Sequence, residues 1–423
     1  MEQKESLFKK NIVKILILAF AGSIIYGLPY FRYYYYDAYV AAYGLTNTQM
    51  GMLGSAYGVL GVFSYLIGGV LADRFSAKKL LVFSLIATGL GGVIHLMHPS
   101  FTFLVALYGL WGVVSLLTFW PALMKIVRMQ GNEDEQSRAY GLFEGGRGAT
   151  NIIHMSIATA IFGMFQAGAA QHAGINWIII FYSVCPILCG ILFMFIIKDN
   201  EGKVEANANT RFKFADIVKV LKMPAVWMVC LITYTTYTFN LSYFYFTPYA
   251  TNILKASAVF GAVVGVLAQY CRPVGSTFGG YLADKVGKAK MMFCGYIIMV
   301  FGTIAIMHIP SSSMQLYFLL GICAIFYLAM YSNFGIYFSM LTEGGVPIEY
   351  AGIAIGVVST LGYLPEVICP FLAGKTLDAY KGSAGYHYYF TYMIVVGLIG
   401  AAAAVVWVKM FNKKKAAAQE VKA

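Results

Sequence analysis

The chain has 423 residues and a formal charge of +12 at neutral pH. It is 60% hydrophobic and only 11% charged, against about 25% charged for an ordinary soluble domain. That balance excludes a soluble globular protein. The lysines and arginines sit in short segments that separate long apolar runs, which excludes a nucleic-acid-binding patch.

Apolar stretches of roughly 20 residues recur along the whole length, each long enough to cross a bilayer as a helix. In chain order the predicted spans are 12–38, 48–72, 79–97, 101–128, 139–168, 175–197, 224–252, 257–283, 290–309, 313–341, 350–375 and 386–411. As in a signal peptide, Lys9, Lys10 and Lys14 precede the apolar run of span 1, which contains Ala19-Phe20-Ala21. Its apolar run continues well past that triplet, and an internal repeat needs it as a partner, so it is read as the first helix. Spans 1, 4, 5, 7, 8, 10 and 11 are long, as tilted cavity-lining helices are. All seven cysteines (Cys185, Cys189, Cys230, Cys271, Cys294, Cys323 and Cys369) fall within spans, without metal-ligand spacing, and read as reduced packing residues.

Twelve spans place both ends of the chain on one side. That side collects Lys4 to Lys14, Arg74 to Lys79, Arg128, Arg138, Lys198 to Lys222, Lys285 to Lys290 and Lys409 to Lys415, while the opposite loops hold little beyond Lys255 and Lys381. Both termini are therefore predicted to be cytoplasmic. Residues 198–223 form the one long polar linker. Its second part, Phe212 to Leu221, has helical apolar spacing with lysines opposite, and reads either as a helix on the inner membrane surface or as a solvated linker. The predicted organisation is a six-helix bundle over 1–197, the linker over 198–223, and a six-helix bundle with a short basic tail over 224–423.

The two halves repeat. "GGVLADRFSAKK" (68–79) ends span 2 and "GGYLADKVGKAK" (279–290) ends span 8, an offset of 211 residues. At the same offset "RAYG" (138–141) is echoed by "EYAG" (349–352). Two related six-helix halves describe a secondary transporter with its substrate site at the midplane. The paired loops resemble the signature loop of the major facilitator superfamily, Gly-x-Leu-Ala-Asp-Arg/Lys-x-Gly-Arg/Lys-x-Arg/Lys, and the resemblance covers essentially the whole chain. The first copy departs from it: Ser76 replaces the glycine and Ala77 the next basic residue, whereas the second keeps Gly287 and Lys288. "QSRAYG" resembles the opening of helix 5 in organic-anion members. The helix-4 arginine linked to proton coupling is missing from "YGLWG" (108–112).

The resemblance implies an all-α integral membrane fold of twelve helices in two pseudo-symmetric bundles. It implies that Asp73 and Asp284, at cytoplasmic helix ends, dock against a neighbouring helix start when the transporter opens outward, where a carboxylate is favoured. Gly69 and Gly280 would let helices approach closely. Arg74, Lys78 and Lys79 lie in the inner headgroup zone. Gly69, Asp73, Arg74, Arg138, Gly280, Asp284 and Lys285 are thus gating candidates, the alternative being charges that only set topology.

Few charges remain inside the spans: Arg32, Glu144, Arg147, Arg272 and Glu366, with His154 as a titratable neighbour. An ionised group at mid-bilayer costs ~2.5–3.5 kcal/mol or more, so each needs a partner or a wet cavity. With a rise of about 1.5 Å per residue, Arg272, Glu366 and His154 each lie near the midplane, and Arg32 nearer the outer end of span 1. Arg272 is the leading substrate ligand, because a guanidinium fork matches carboxylate or phosphate; the alternative is a structural pair with Glu366. Glu366, in "LPEVICP" between Pro365 and Pro370, suits a proton acceptor or a static ion pair. His154 is either a second coupling group or a hydrogen-bonded core residue. Glu144 and Arg147, three apart in "FEGGRG", read as an intrahelical pair or inner gate.

The chain is 16% aromatic. Tyr57, Trp111, Trp120, Tyr234, Tyr237, Tyr243, Tyr327, Tyr331 and Tyr363, with Asn240 and Asn333, fall on spans predicted to line the cavity; of these Trp120, Tyr234, Tyr237, Asn240, Tyr331 and Tyr363 are substrate-binding candidates. The run "YFRYYYYDAY" (30–39) reads as the outer vestibule, with Tyr35, Tyr36 and Tyr39 on the helical face of Arg32, which either snorkels outward or turns inward as a second anion contact. Asp37 lies at the outer water boundary.

The predicted protein is a monomeric inner-membrane transporter of a small organic anion (a carboxylate, sugar acid, or phosphorylated or sulfonated sugar), working by alternating access with proton coupling or exchange. It needs no cofactor and no metal, binds no nucleic acid, and is not an enzyme: no catalytic constellation and no ATP-binding loop occur. A neutral-sugar or drug–proton transporter with a structural Arg272, and a non-transporting membrane metabolite sensor, are the alternatives.

Overall fold

The structure is a computed structural model that describes residues 7–131, 136–165, 169–198, 214–347 and 350–412. The expectations for Gly69, Asp73, Arg74 and Arg138, for linker residues 199–213 and for the basic tail from 413 lie outside the described residues and side chains. Among the described residues every regular element is helical.

Predicted span 1 is three helices, α1 (Leu7–Ile24), α2 (Gly27–Tyr34) and α3 (Tyr36–Tyr43), with a 54° bend between the first two. Pro29 has no N–H for the Ile25 carbonyl, so the ladder fails one turn before it. α3 runs past the predicted end and stops at Gly44, whose φ of +60° suits glycine and lets Leu45 N–H reach the Val40 carbonyl at 3.0 Å. There follow α4 (Asn47–Arg74), α5 (Ala77–His95) and α6 (Phe101–Gly112), then a π-helical stretch over Val113–Phe119 that passes into α7 (Trp120–Arg128). α8 (Gln136–Gly163) and α9 (Ala169–Ile196) complete this part of the chain.

Within the linker, α10 (Phe214–Leu221) forms where the apolar spacing predicts it. Lys219 Nζ donates to Asp216 at 2.9 Å and to the Tyr350 hydroxyl at 3.3 Å, and these bonds raise the lysine pKa above its ordinary value. Predicted span 7 is α11 (Pro224–Ser242), a 3-10 turn over Tyr243–Tyr245 and α12 (Phe246–Asn252); Pro248 withholds a donor from the Phe244 carbonyl, and the chain tightens there. α13 (Ala258–Val286) is capped by Ser257, which accepts from Phe260 N–H at 3.2 Å, and ends at Gly287. α14 (Lys288–Met307), α15 (Gln315–Ile336) and α16 (Ser339–Glu343) follow. Predicted span 11 breaks into α17 (Ala351–Gly362) and α18 (Pro365–Ala379), because Pro365 cannot donate to Leu361 and Leu364 N–H takes that carbonyl instead. α19 (Ser383–Trp407) ends in a second π-helical turn, Val408–Asn412.

Eight stretches among the described residues are long and apolar enough to cross a membrane, nine if the bent pair α1–α2 is one span. α4, α8 and α11 are long but more polar: α8 carries Glu144, Arg147 and His154, and α11 is rich in threonine and tyrosine. The chain divides into two compact units, residues 1–45 with 56–208, and residues 46–55 with 209–423. In the first unit α1 packs on α8 and α5 on α9; in the second α13 packs on α15, α14 on α19 and α11 on α17. The start of α4 belongs to the second unit and lies against α18, where a Cβ at Gly51 would fall 2.1 Å from the Pro370 carbonyl oxygen.

Candidate functional site

In the second unit, α13 brings Arg272 to the aromatic face of α15. The guanidinium carbon lies 5.7 Å from the Tyr331 ring centre and 5.9 Å from that of Phe334. Tyr331 is held from behind by Gln269, whose Nε2 donates to its hydroxyl at 3.4 Å and to the Tyr243 hydroxyl at 3.2 Å. The alternative of a structural Arg272–Glu366 pair is not realised: among the described residues no carboxylate is within ion-pair distance of Arg272. Glu366 is 7% exposed and stands in the first turn of α18, where the break at Pro365 presents its carboxylate to a helix N-terminus. It accepts a hydrogen bond from the Tyr237 hydroxyl of α11. The Tyr237 ring packs on Tyr363 at 4.4 Å and faces Phe334 at 6.3 Å, and the Tyr363 hydroxyl meets that of Tyr337 at 2.9 Å. Arg272, Phe334, Tyr237 and Glu366 therefore form one continuous run: a cation with no ion-pair partner among the described residues, two aromatic rings and a hydrogen-bonded carboxylate.

Other candidates of this unit stand apart from that run. Tyr234 pairs with the Tyr392 hydroxyl at 3.3 Å, and Asn240 is half-buried on α11. Asn333 is wholly buried and donates to the Met292 carbonyl at 3.2 Å, a packing role rather than a lining one. The close helix approach expected at Gly280 is made one residue earlier: a Cβ at Gly280 meets nothing within 4 Å, whereas one at Gly279 would lie 2.1 Å from Ser332 Oγ. One residue is about 100° of helix rotation, which the adjacent glycines leave undecided in sequence. Asp284 is exposed without a hydrogen bond or ion pair among the described residues, and Lys285 lies 4.5 Å over the Tyr281 ring.

The first unit holds three polar clusters. Arg32, 1% exposed at the end of α2, neither snorkels to the outer water nor shares one helical face with Tyr35, Tyr36 and Tyr39, because the helix breaks at Tyr35. Its guanidinium lies 3.9 Å over Tyr33 and 4.7 Å over Tyr108, and donates to the Tyr33 hydroxyl at 3.0 Å and the Pro29 carbonyl at 3.3 Å. Tyr36 is buried beside the break, and Tyr35 bonds Thr159 of α8 at 3.0 Å. Behind Arg32 stands His95. Tyr43 donates its proton to the His95 carbonyl, so at Nδ1, 2.6 Å away, the ring is the donor; Nε2 then accepts from Tyr39, which in turn accepts from Tyr108. His95, Tyr33, Tyr108 and Phe334 were missed in the sequence, although a histidine inside an apolar span was signal enough for the first.

In the second cluster, Ser23 donates to Asn151 Oδ1, so the Ser23–His154 contact of 2.9 Å has Nε2–H as its donor. His154 Nδ1 accepts from Tyr182 at 3.1 Å. His154 thereby ties α1, α8 and α9 together. In the third, Glu144 and Arg147 form the intrahelical pair their spacing predicts, at 2.9 Å. Arg147 Nε also donates to the Gly22 carbonyl at 3.0 Å, and its guanidinium stacks over Trp120 of α7 at 4.6 Å.

A helical membrane chain with intramembrane arginines set on aromatic rings has the general make of a solute carrier. Residues 12–370 match the family model of the Major Facilitator Superfamily, and the chain belongs to that superfamily: it is a membrane transporter rather than an enzyme. It is 28% identical to the Escherichia coli inner membrane protein YihN, over 97% of this chain and 98% of that one, and 26% identical to E. coli inner membrane protein YqcE, over 88% and 89%. Its fold is similar to that of a bacterial homologue of the human lysosomal transporter Spinster, with a TM-score of 0.77 at 14% identity, covering 96% of this chain and 98% of that one.

Proposed function

We propose that this protein is a secondary active transporter of a small organic anion, working by alternating access in the inner membrane. In this reading twelve spans cross the bilayer, both termini are cytoplasmic, and the halves 1–197 and 224–423 are joined by the linker 198–223. Arg272 is the observation that carries it. A guanidinium with no carboxylate partner among the described residues, set on aromatic faces inside a membrane-spanning helix, is costly unless an anion visits it. Tyr331, Tyr237 and Tyr363 supply ring surface and hydroxyls around the solute, and Glu366, in contact with that aromatic run, takes and releases the coupling proton. Two more distant relatives support the class: a probable sulfoacetate transporter, SauU, of Cupriavidus necator (21% identical) and a hexose-6-phosphate:phosphate antiporter of Salmonella typhimurium (23%).

The packing of Arg272 against two rings would also serve a structural arginine in a carrier of neutral or drug-like solutes, and a multidrug resistance protein of Bacillus subtilis is 24% identical. Counterflow in proteoliposomes with sulfoacetate and glucose 6-phosphate separates the two. Uptake that is lost in Arg272→Gln and strongly reduced in Arg272→Lys supports the anion reading; uptake indifferent to both replacements, or confined to neutral solutes, overturns it.

A further inference from the structure

The repeat offset of 211 residues that relates the two signature loops also relates Trp120 to Tyr331. In each unit that aromatic carries an arginine: Arg147 over Trp120 at 4.6 Å, Arg272 over Tyr331 at 5.7 Å. The arginines themselves are not repeat mates. One comes from α8 and the other from α13, so the same stack is assembled twice from different helices. Duplication of a half would not by itself produce that. Trp120 also follows directly on the π-helical stretch Val113–Phe119, a geometry frequent at functional sites.

The donors of Arg147 can be counted. Nε is held by the Gly22 carbonyl, and Nη1 by both oxygens of Glu144, at 2.9 and 3.1 Å. Nη2 has no hydrogen-bond partner among the described residues. The Glu144 side chain is 51% exposed against 12% for Arg147, so the partner is solvent-screened while the guanidinium is fixed by stacking and by Gly22. A carboxylate in that position is a weak, exchangeable occupant. A tetrahedral oxyanion offers more oxygens to the same fork than a carboxylate does.

We propose that Arg147, seated on Trp120, is a second anion-recognition residue on the transport path, and that a phosphate or sulfonate group displaces Glu144 from it. The inference rests on the organic-anion reading of Arg272. It makes Arg147 a determinant of preference for phosphate and sulfonate over carboxylate, rather than a fixed inner clasp.

The test is thermal stabilisation of the purified full chain by inorganic phosphate, methanesulfonate and acetate, in wild type, Arg147→Gln, Arg147→Lys, Glu144→Gln and Arg272→Gln. The expected result is that phosphate and methanesulfonate stabilise wild type more than acetate does. Both Arg147 replacements should weaken phosphate about tenfold or more, since neither keeps the planar fork. Glu144→Gln, which removes the competing carboxylate, should tighten it. Phosphate binding unchanged in Arg147→Lys and Glu144→Gln but lost in Arg272→Gln overturns the role of Arg147 and leaves the anion reading standing. No stabilisation of wild type by any of the three anions overturns both. Should Arg147→Gln fail to fold, Glu144→Gln still decides, because unchanged phosphate affinity there is the overturning result.

Discussion

Asp378 closes the N-terminus of α4 from the far end of α18. Its Oδ1 accepts from the Asn47 backbone N–H at 3.0 Å and from Asn47 Nδ2 at 2.9 Å, and its Oδ2 accepts from the Thr48 N–H at 2.6 Å. A helix start leaves its first N–H groups without partners, and a carboxylate there satisfies donors and helix dipole together. Asp378→Ala should therefore cost about 0.5–2 kcal/mol, as loss of a capping group does. The readout is hydrogen exchange: protection should fall at residues 47–50 and stay unchanged in α14. Uniform exchange across both segments in wild type and variant would remove the capping role.

The same contact depends on backbone proximity. Gly51→Ala would place its Cβ 2.1 Å from the Pro370 carbonyl oxygen, and Ser55 Oγ donates to the Val367 carbonyl at 2.6 Å one turn further along. Backbone cannot yield as a side chain does, so the substitution should destabilise by about 1–3 kcal/mol. Thermal unfolding in detergent should register it, with Gly280→Ala, which meets nothing, as the neutral control.

Tyr237→Phe removes the hydroxyl that Glu366 accepts from. A hydrogen bond to a charged group contributes about 1.5–3 kcal/mol. The variant should unfold at lower temperature. Glu366→Gln, which keeps the shape but not the charge, should abolish proton flux in pyranine-loaded vesicles while solute counterflow persists. Proton flux that survives Glu366→Gln would move coupling elsewhere.

The two buried histidines should show opposite tautomers. The bonding of His95 puts its proton on Nδ1, and that of His154 puts it on Nε2. Nitrogen-15 histidine NMR at neutral pH, with His95→Gln and His154→Gln to assign the signals, should show one signal pattern of each kind. Replacing His154 takes the acceptor from the buried Tyr182 hydroxyl, so it should cost stability, about 1–3 kcal/mol for an unsatisfied buried group. Proton-driven uptake should continue in His154→Gln if its place is purely within that hydrogen-bonded cluster.

Much of the helical layout is legible in the sequence because burial in lipid demands long apolar runs, whereas the stops at Gly44 and Gly287 lie beyond the expected ends of spans 1 and 8, at 38 and 283. The intramembrane charges were legible for the same reason: Arg32, Arg147, Arg272 and Glu366 stand out against an apolar background. Which ring each one meets was not. In a soluble helix the apolar stripe marks the inner face, but in a membrane the lipid face and the protein face are both apolar, and the pattern loses its direction. Hence close approach is expected at Gly280 where the packing uses Gly279, and a continuous helical face is expected of Arg32 where the chain breaks at Tyr35. Prolines 29, 248 and 365 mark the breaks, yet sequence does not say whether a proline in a span bends it, tightens it or ends it.

The π-helical stretch before Trp120 has a consequence for how this chain can vary. A π-helix packs more residues into each turn than an α-helix, so Val113–Phe119 holds slack that could be drawn out without lengthening the helix. Deleting one residue there would let the stretch relax to α-helical winding while α6 and α7 keep close to their present phase. The same deletion within the regular winding of α7 would instead turn the residues beyond it by about 100°. Val113–Phe119 is thus the place on this helix where a residue can be lost without moving Trp120 off Arg147.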